Sequence, residues 1–463
     1  MPKRIVLAYS GGLDTSVLVR WMTEEMGAEV VALAVDLGQG GDWDAVRARA
    51  VAAGAAEVEV VDARNEFASD FVAPAIRANA LYEGKYPLIS SLSRPVIVRH
   101  LVDAARRHGA DAIAHGCTGK GNDQVRFEVS TRALAPDLDV VAPVRTWGFT
   151  REDSIDYARK WGIPVSATKA NPYSVDQNLW GRTVECGILE DPWARPPADV
   201  YELTVPRNAG GQPKELIVTF EGGSPVALDG QPMPLDELVP ALDAVVGPFG
   251  WGRIDMIENR RVGIKSREIY ECPGALALLL AHADLESMTL ERDVAHEKSR
   301  LEPRWAELVY DGLWFSPLKM ALDAFFAETQ RFVTGDVRLR CEPGTAPDGT
   351  GSCFVAGRRS AVALYEHDLA TYTAADRFRH QDAEGFVRIF GLGIETWATK
   401  QGPGSQAPGK QGTGKQGTGQ PGTGEAGPGQ DRAGQGMAGR PAVTPPSPAP
   451  APPGSPGLGE PAG

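Results

Sequence analysis

With 463 residues, 42% of them apolar, the chain can build roughly two to three domains around a sizeable core. Its net charge of −13 repels nucleic acid and anionic membrane overall, and no run approaches the ~20 apolar residues of a membrane span. Five cysteines (Cys117, Cys186, Cys272, Cys341 and Cys353), odd in number, widely spaced and without a C-x-x-C, argue against a disulfide framework or a cysteine zinc site and for free thiols in a reducing compartment. The N-terminus runs straight into a strand-like segment, Ile5–Tyr9, too short for a signal-peptide core, so a cytoplasmic location is expected.

The first part alternates strand and helix patterns. Ile5–Tyr9 is followed by a helix over Asp14–Met26, with Val17, Leu18, Trp21 and Met22 on one face. Val30–Val35 and Val58–Val61 read as strands around a helix at Asp42–Ala53. Arg94–His108 reads as a helix, Asp111–Ala114 and Val140–Pro143 as strands, Thr150–Trp161 as a helix, and Gly162–Val165 leads into a further short strand. Such alternation predicts βαβ units, an α/β fold with a mostly parallel sheet, and a ligand beyond the carboxyl ends of its strands. From about Lys169 the pattern changes. Asn171-Pro172 and Arg195-Pro196-Pro197 break regular structure, antiparallel strands are expected at Glu215–Phe220 and Ser224–Leu228, and helices at Leu235–Val246, Gly274–Ser287 and Leu318–Phe332. From about Thr399 Gly, Pro, Gln and Ala dominate, and Lys-Gln-Gly-Thr-Gly occurs at Lys410–Gly414 and again at Lys415–Gly419. Too little apolar surface remains there to offset chain entropy, so a disordered tail is expected. The organisation predicted is 1–168 for a nucleotide-binding α/β domain, 169–398 for an α+β domain, and 399–463 for the tail.

The sharpest local signal is Ser10-Gly11-Gly12-Leu13-Asp14-Thr15-Ser16, between the first strand and the first helix. Two glycines let the backbone turn tightly and approach a ligand, the helix start offers free N–H groups, and Ser10, Thr15 and Ser16 add hydroxyls: a cradle for phosphate or pyrophosphate. This loop fits neither G-x-x-x-x-G-K-[ST] nor G-x-G-x-x-G. Asp36, after the second strand, is open to two readings, a nucleotide contact or a turn residue. Farther on, Gly116–Arg126 follows a strand and combines small residues with Asn122, Asp123 and Arg126. That mixture suits an amino-acid zwitterion: a forked cation for its carboxylate and an acceptor for its ammonium.

The Ser10–Ser16 motif resembles the signature of the ATP pyrophosphatases, which adenylate an oxygen and release pyrophosphate. Ala8–Ser16, His115–Glu128, Asn171–Asn178 and Ile257–Tyr270, with Gly187–Trp193, resemble the argininosuccinate synthase family in particular, in family order. The resemblance implies an AMP-forming ligase of arginine biosynthesis with ATP, L-citrulline and L-aspartate as substrates, Mg²⁺, no nucleic-acid or membrane partner, and a homotetramer built through the second domain and C-terminal helices. It implies ATP contacts at Ala8, Tyr9, Ser10, Gly11, Gly12, Leu13, Asp14, Thr15, Ser16, Val35 and Gly116. Aspartate would meet Thr118, Asn122 and Asp123. Citrulline would meet Tyr86, Ser91, Asn122, Arg126, Ser174, Thr183, Glu258 and Tyr270, and Arg94 lies in a matching Ser-x-x-Arg-Pro stretch. Asp14 and Asp123 are the candidates for a catalytic or Mg²⁺-binding carboxylate. No nucleophile or general base stands out, and His115 is expected to be packed or solvated. The chain departs from the family pattern at Val35, Thr183, Arg261, Glu268 and the tail. Two other functions remain open on the loop alone: a tRNA-modifying ATP pyrophosphatase and a non-catalytic nucleotide-binding protein.

Overall fold

Five short apolar runs form a parallel sheet: β1 (Arg4–Ala8), β2 (Glu29–Asp36), β3 (Glu57–Asp62), β4 (Ala112–Ala114) and β5 (Asp139–Val141), in the order β3-β2-β1-β4-β5. The computed structural model describes residues 4–164, 173–207, 211–345, 348–373 and 376–403. Strand side chains alternate in direction, and both directions are buried. Ile5, Leu7, Val30 and Ala32 enter one apolar cluster, whereas Val6, Val31, Leu33 and Val35 enter another on the opposite face. At ~1.5–3 kcal/mol for each buried large aliphatic side chain, this two-sided burial dominates the stability of the sheet.

Helices Leu13–Met26, Trp43–Ala53, Ile89–His108, Asp123–Leu134 and Arg151–Lys160 connect or flank these strands. Two of these helices carry their start signal in the sequence. Asp42 Oδ1 accepts the Ala45 N–H at 3.0 Å, and Thr150 forms a capping box with Asp153. Two expectations need correction. The helix expected at Arg94 begins five residues earlier, at Ile89, and tolerates Pro95 because Ile89, Leu92 and Val96 are fully buried and override the lost backbone bond. Gly162–Pro164 form a turn and an irregular stretch rather than a strand, and Val165 lies outside the described residues. The expected boundary at 168/169 and residues Asn171 and Pro172 also lie outside them.

The antiparallel part comprises β6 (Ser174–Asn178), β7 (Gly181–Glu185), β8 (Lys214–Glu221), β9 (Ser224–Leu228), β10 (Gln231–Pro232), β11 (Arg253–Asn259), β12 (Lys265–Glu271), β13 (Gly335–Glu342) and β14 (Ser352–Arg359). They make two sheets, β11-β12-β7-β6 and β10-β9-β8-β13-β14. Helices Leu235–Val246, Pro273–Thr289 and Pro317–Thr329 stand where their patterns placed them to within three residues. Pro317–Thr329 is split in role: Leu322 and Phe326 are buried, whereas Leu318 and Met320 are exposed. Helix Arg292–Tyr310 escaped the sequence reading because its charged surface dilutes the apolar period; it buries Trp305, Leu308, Val309 and Tyr310 near its end.

The hairpin turn between β6 and β7 ties this part to the parallel sheet. The Leu179 N–H donates to the Leu37 carbonyl at 2.7 Å, and the buried Trp180 indole donates to the Pro87 carbonyl at 2.7 Å. Asn178 Nδ2 reaches the Ile89 carbonyl at 2.9 Å. Gly181 is required here: at φ 148°, a Cβ would lie 2.8 Å from the Glu271 carbonyl oxygen.

The chain divides into two units, Met1–Phe378 and Arg379–Gly463. In the second, the described structure is dominated by helix His380–Gln401, which runs three residues past the expected start of the tail. It buries none of its side chains and exposes Phe386, Ile389, Phe390, Ile394 and Trp397. The repeats at Lys410–Gly419 lie outside the described residues. No helix of the described residues is long and apolar enough to cross a membrane.

Candidate active site

Chain order reverses between β1 and β4: from β1 the chain moves outward to β2 and β3, then returns to β4 on the other side. A crevice opens at the carboxyl ends of strands at such a switch point. The loops after β1 and β4 are Ser10–Gly12 and His115–Asn122, and both line one cavity of about 510 Å³.

At the first loop, Gly11 has φ +75° and packs so close to Val46 that a Cβ would lie 3.0 Å from its methyl. Gly12 is the N-cap of helix Leu13–Met26, and no side chain among the described residues caps it, the kind of helix start that can receive an anion. Ser10 and Thr15 hydroxyls sit 3.1 Å apart at the rim. Ser16 turns inward: its hydroxyl donates to the Gly12 carbonyl at 2.7 Å and lies 2.9 Å from the Tyr9 hydroxyl, so it braces the loop. Ala8, Tyr9, Ser10, Gly12, Leu13, Asp14, Thr15, Val35 and Gly116 line the cavity, whereas Gly11 and Ser16 lie behind it. Asp36 resolves as a turn residue, its Oδ1 accepting the Gly38 N–H at 2.9 Å.

The other end of the cavity is charged. Arg94 Nε and Nη2 donate to Asp123 Oδ2 at 3.0 and 2.8 Å, Arg126 Nη1 donates to Asp123 Oδ1 at 2.7 Å, and Arg94 also pairs with Asp176. Burial alone would push the Asp123 carboxyl up, but the Arg94 and Arg126 guanidiniums outweigh it and hold the group down at about 2. Glu258 behaves in the opposite way. Burial, and then the neighbouring Glu268 carboxylate, raise it to about 7, against donation from Tyr270 and Tyr310. Tyr270 Oη lies 2.8 Å from Glu258 Oε2 and 3.0 Å from Glu268 Oε2. Arg260 bridges Glu268, at 2.7 Å, and Glu185.

Thr118, Asn122, Asp123, Tyr86, Arg126, Ser174, Thr183, Glu258 and Tyr270 all line this end. Ser91 does not; it is buried, and its hydroxyl finds no hydrogen-bond partner among the described residues. Thr183 is also a buried hydroxyl without a partner among the described residues, but it lines the cavity, where a ligand can satisfy it. His115 lines the cavity as a packed histidine: its Nδ1 accepts the Cys117 N–H at 3.2 Å and its ring stacks on Phe127. Of the residues that depart from the family pattern, Arg261 turns outward to Asp311 at 3.3 Å, and Glu268 turns inward.

Sequence reasoning missed Asp176, Glu185 and Arg260, which also line the cavity. The signal was present. Ser174 and Asp176, Thr183 and Glu185, Glu258 and Arg260 are each two residues apart, the spacing that puts strand side chains on one face. Among the described residues no group of three or more His, Cys, Asp or Glu side chains is placed to hold a metal ion.

A parallel sheet with a Ser-Gly-Gly loop at its switch point, facing a polar wall built from antiparallel strands, defines a HUP-type nucleotide-binding ligase of the ATP pyrophosphatase class. Residues 4–164 match the model of the argininosuccinate synthase N-terminal HUP domain, and residues 173–397 match that of its C-terminal domain. Argininosuccinate synthase of Rubrobacter xylanophilus is 58% identical over 398 residues, covering 86% of this chain and 95% of that protein. Those of Geobacillus thermodenitrificans and Bacillus pumilus are each 55% identical, over 84% of this chain and 94% and 95% of theirs. The chain belongs to the argininosuccinate synthase family. Among solved structures, a predicted tRNA methyltransferase subunit from Methanocaldococcus jannaschii aligns at 13% identity over 34% of this chain and 75% of that one, with a TM-score of 0.24, too low to carry any argument.

Proposed function

We infer that this chain joins L-citrulline to L-aspartate, with ATP cleaved to AMP and pyrophosphate, in arginine biosynthesis. The observation that carries the reading is one continuous cavity lined by the Ser-Gly-Gly loop at one end and by paired carboxylates and guanidiniums at the other. The ureido carbon of citrulline is a poor electrophile because its nitrogens donate into it. Transfer of AMP to the ureido oxygen supplies a leaving group, and the aspartate amine then attacks the carbon and expels AMP. Such chemistry needs two substrates aligned and charge stabilised more than it needs a nucleophile.

In this proposal Ser10–Thr15 hold the phosphates, and Val35 and Gly116 flank the nucleotide. Thr118, Asn122 and Asp123 take aspartate. Tyr86, Asn122, Arg126, Ser174, Thr183, Glu258 and Tyr270 take citrulline, with Glu258 receiving its ammonium. Asp123 is already bound by two guanidiniums, which makes it a poor metal ligand. Asp14 is the carboxylate beside the loop that fits Mg²⁺ carried on ATP phosphates, since this ion needs only one or two carboxylates. Mg²⁺ would supply charge neutralisation for the departing pyrophosphate.

We further propose that 1–168 form the nucleotide-binding domain and 169–398 the synthetase and multimerisation domain of a cytoplasmic homotetramer. The exposed Phe386, Ile389, Phe390 and Trp397 stripe supports association, because so apolar a surface needs a partner. Sizing chromatography tests it, and a monomer at micromolar concentration would refute it. The activity is tested by incubating the protein with ATP, citrulline and aspartate and following pyrophosphate. Release that does not depend on citrulline would overturn the reading.

A further inference from the structure

Tyr310 ends helix Arg292–Tyr310, is 1% exposed and does not line the cavity. Yet it touches three residues that do. Its hydroxyl accepts from Asn122 Nδ2 at 2.7 Å and donates to Glu258 Oε1 at 2.8 Å, and its carbonyl accepts from Arg126 Nε at 3.0 Å. The Arg126 guanidinium carbon lies 4.9 Å from its ring centroid. The ring is fixed from the far side by Tyr82, stacked at 3.6 Å and 3°. Just beyond, Gly312 comes so near Arg126 that a Cβ would lie 2.8 Å from its Cα.

The hydrogen bonds run in one direction only. The Arg261 backbone N–H donates to Asn122 Oδ1 at 2.8 Å, so the Asn122 amide must present Nδ2 to Tyr310. The Tyr310 oxygen is thereby occupied as an acceptor, and its proton points at Glu258. A backbone N–H that cannot reverse thus sets the sense of a chain ending on a buried carboxylate, where it favours the ionised form.

We propose that Tyr310 is a positioning residue of the synthetase reaction, orienting Asn122, Arg126 and Glu258 for citrulline. It rests on the assignment of those three side chains to citrulline. Tyr310→Phe keeps the ring, the stack and the carbonyl and removes only the hydroxyl. Steady-state kinetics from pH 5.5 to 9, with each substrate varied, should show the KM for citrulline rising roughly tenfold, as for loss of one hydrogen bond to a charged group. The KM for ATP should stay within about twofold, and the acid limb of kcat/KM for citrulline should move to higher pH, because Glu258 loses a donor that favours its carboxylate. Tyr82→Leu, which weakens the stack but leaves the relay, should raise the citrulline KM less and leave the limb in place. Glu258→Gln run in parallel separates the failures. An ordinary citrulline KM in E258Q overturns the assignment of Glu258 and this proposal with it. A defective E258Q beside a Y310F enzyme with unchanged citrulline KM and unchanged acid limb overturns the role of Tyr310 alone, as does a uniform loss for all three substrates.

Discussion

The two ends of the cavity are built on different principles. The phosphate end is seven consecutive residues whose working parts are backbone, small hydroxyls and a helix start. The acceptor end is charged side chains gathered from the helix at Ile89–His108, the loop and helix at Asn122–Arg126, the β6–β7 hairpin, β11 and β12. On the proposed assignment, a loop that holds a triphosphate can be local, since backbone and small hydroxyls suffice. A group that must tell one zwitterion from another needs opposite charges at fixed separations, and only tertiary structure supplies those.

This contrast can be broken by substitution, and the largest effect is expected at the phosphate end. Asp14→Ala should lower pyrophosphate release by roughly a hundredfold or more, as for loss of the carboxylate that would hold the Mg²⁺ neutralising the departing pyrophosphate. As an acid in the first turn of its helix, Asp14 also contributes ~0.3–1 kcal/mol to folding through the helix dipole. A variant of normal turnover would refute the role given to the loop. Glu258→Gln should act on the acceptor only, raising the citrulline KM by about 10- to 100-fold, the range for a hydrogen bond to a charged group, with ATP affinity intact. Parallel losses for ATP and citrulline would dissolve the distinction between the ends.

The pH dependence sharpens the same contrast. Glu258 must be ionised to hold an ammonium and sits at about 7, so kcat/KM for citrulline should fall as pH drops through 7, approaching tenfold per unit below it. In E258Q that limb should vanish. A profile flat from pH 8 to 5.5 in the parent enzyme would remove Glu258 from the site.

The smallest effect lies outside the cavity. Burial raises the Asp243 carboxyl to about 7, against the Gly274 N–H that donates to it at 2.7 Å. The folded state therefore prefers it protonated, and that stabilisation, full below the unfolded value near 3.8, is lost as pH rises through 7. Asp243→Asn should raise Tm by a few degrees (about 2–4 °C per kcal/mol in a domain of this size) at pH 8 and change it little near pH 4. Equal shifts at both pH values would show that the group is not titrating as stated.

How far the sequence could be read follows the same division. The parallel sheet was legible because its strands are short apolar runs separated by helical patterns, and the Ser10–Ser16 loop was legible as a cavity-lining turn because it is contiguous. Helix Arg292–Tyr310 was not, because its apolar residues cluster at one end and Lys298 is buried by pairing with Glu286 and Glu302 rather than by being apolar. Asp176, Glu185 and Arg260 were within reach once Ser174, Thr183 and Glu258 were suspected, through the two-residue period. Tyr310 was out of reach, since nothing near it in sequence says that it will meet Asn122, 188 positions away.

The turn at Leu179-Trp180 bears on how such a protein could be cut or recombined. Residues 4–164 look like a portable ATP-cleaving module, yet the loops around their nucleotide site accept a tryptophan and two backbone or side-chain bonds from the segment that follows. An excised module would carry an open slot against Pro87 and Ile89 where Trp180 belongs. Modular exchange in this family should therefore succeed only when the hairpin travels with the sheet it plugs.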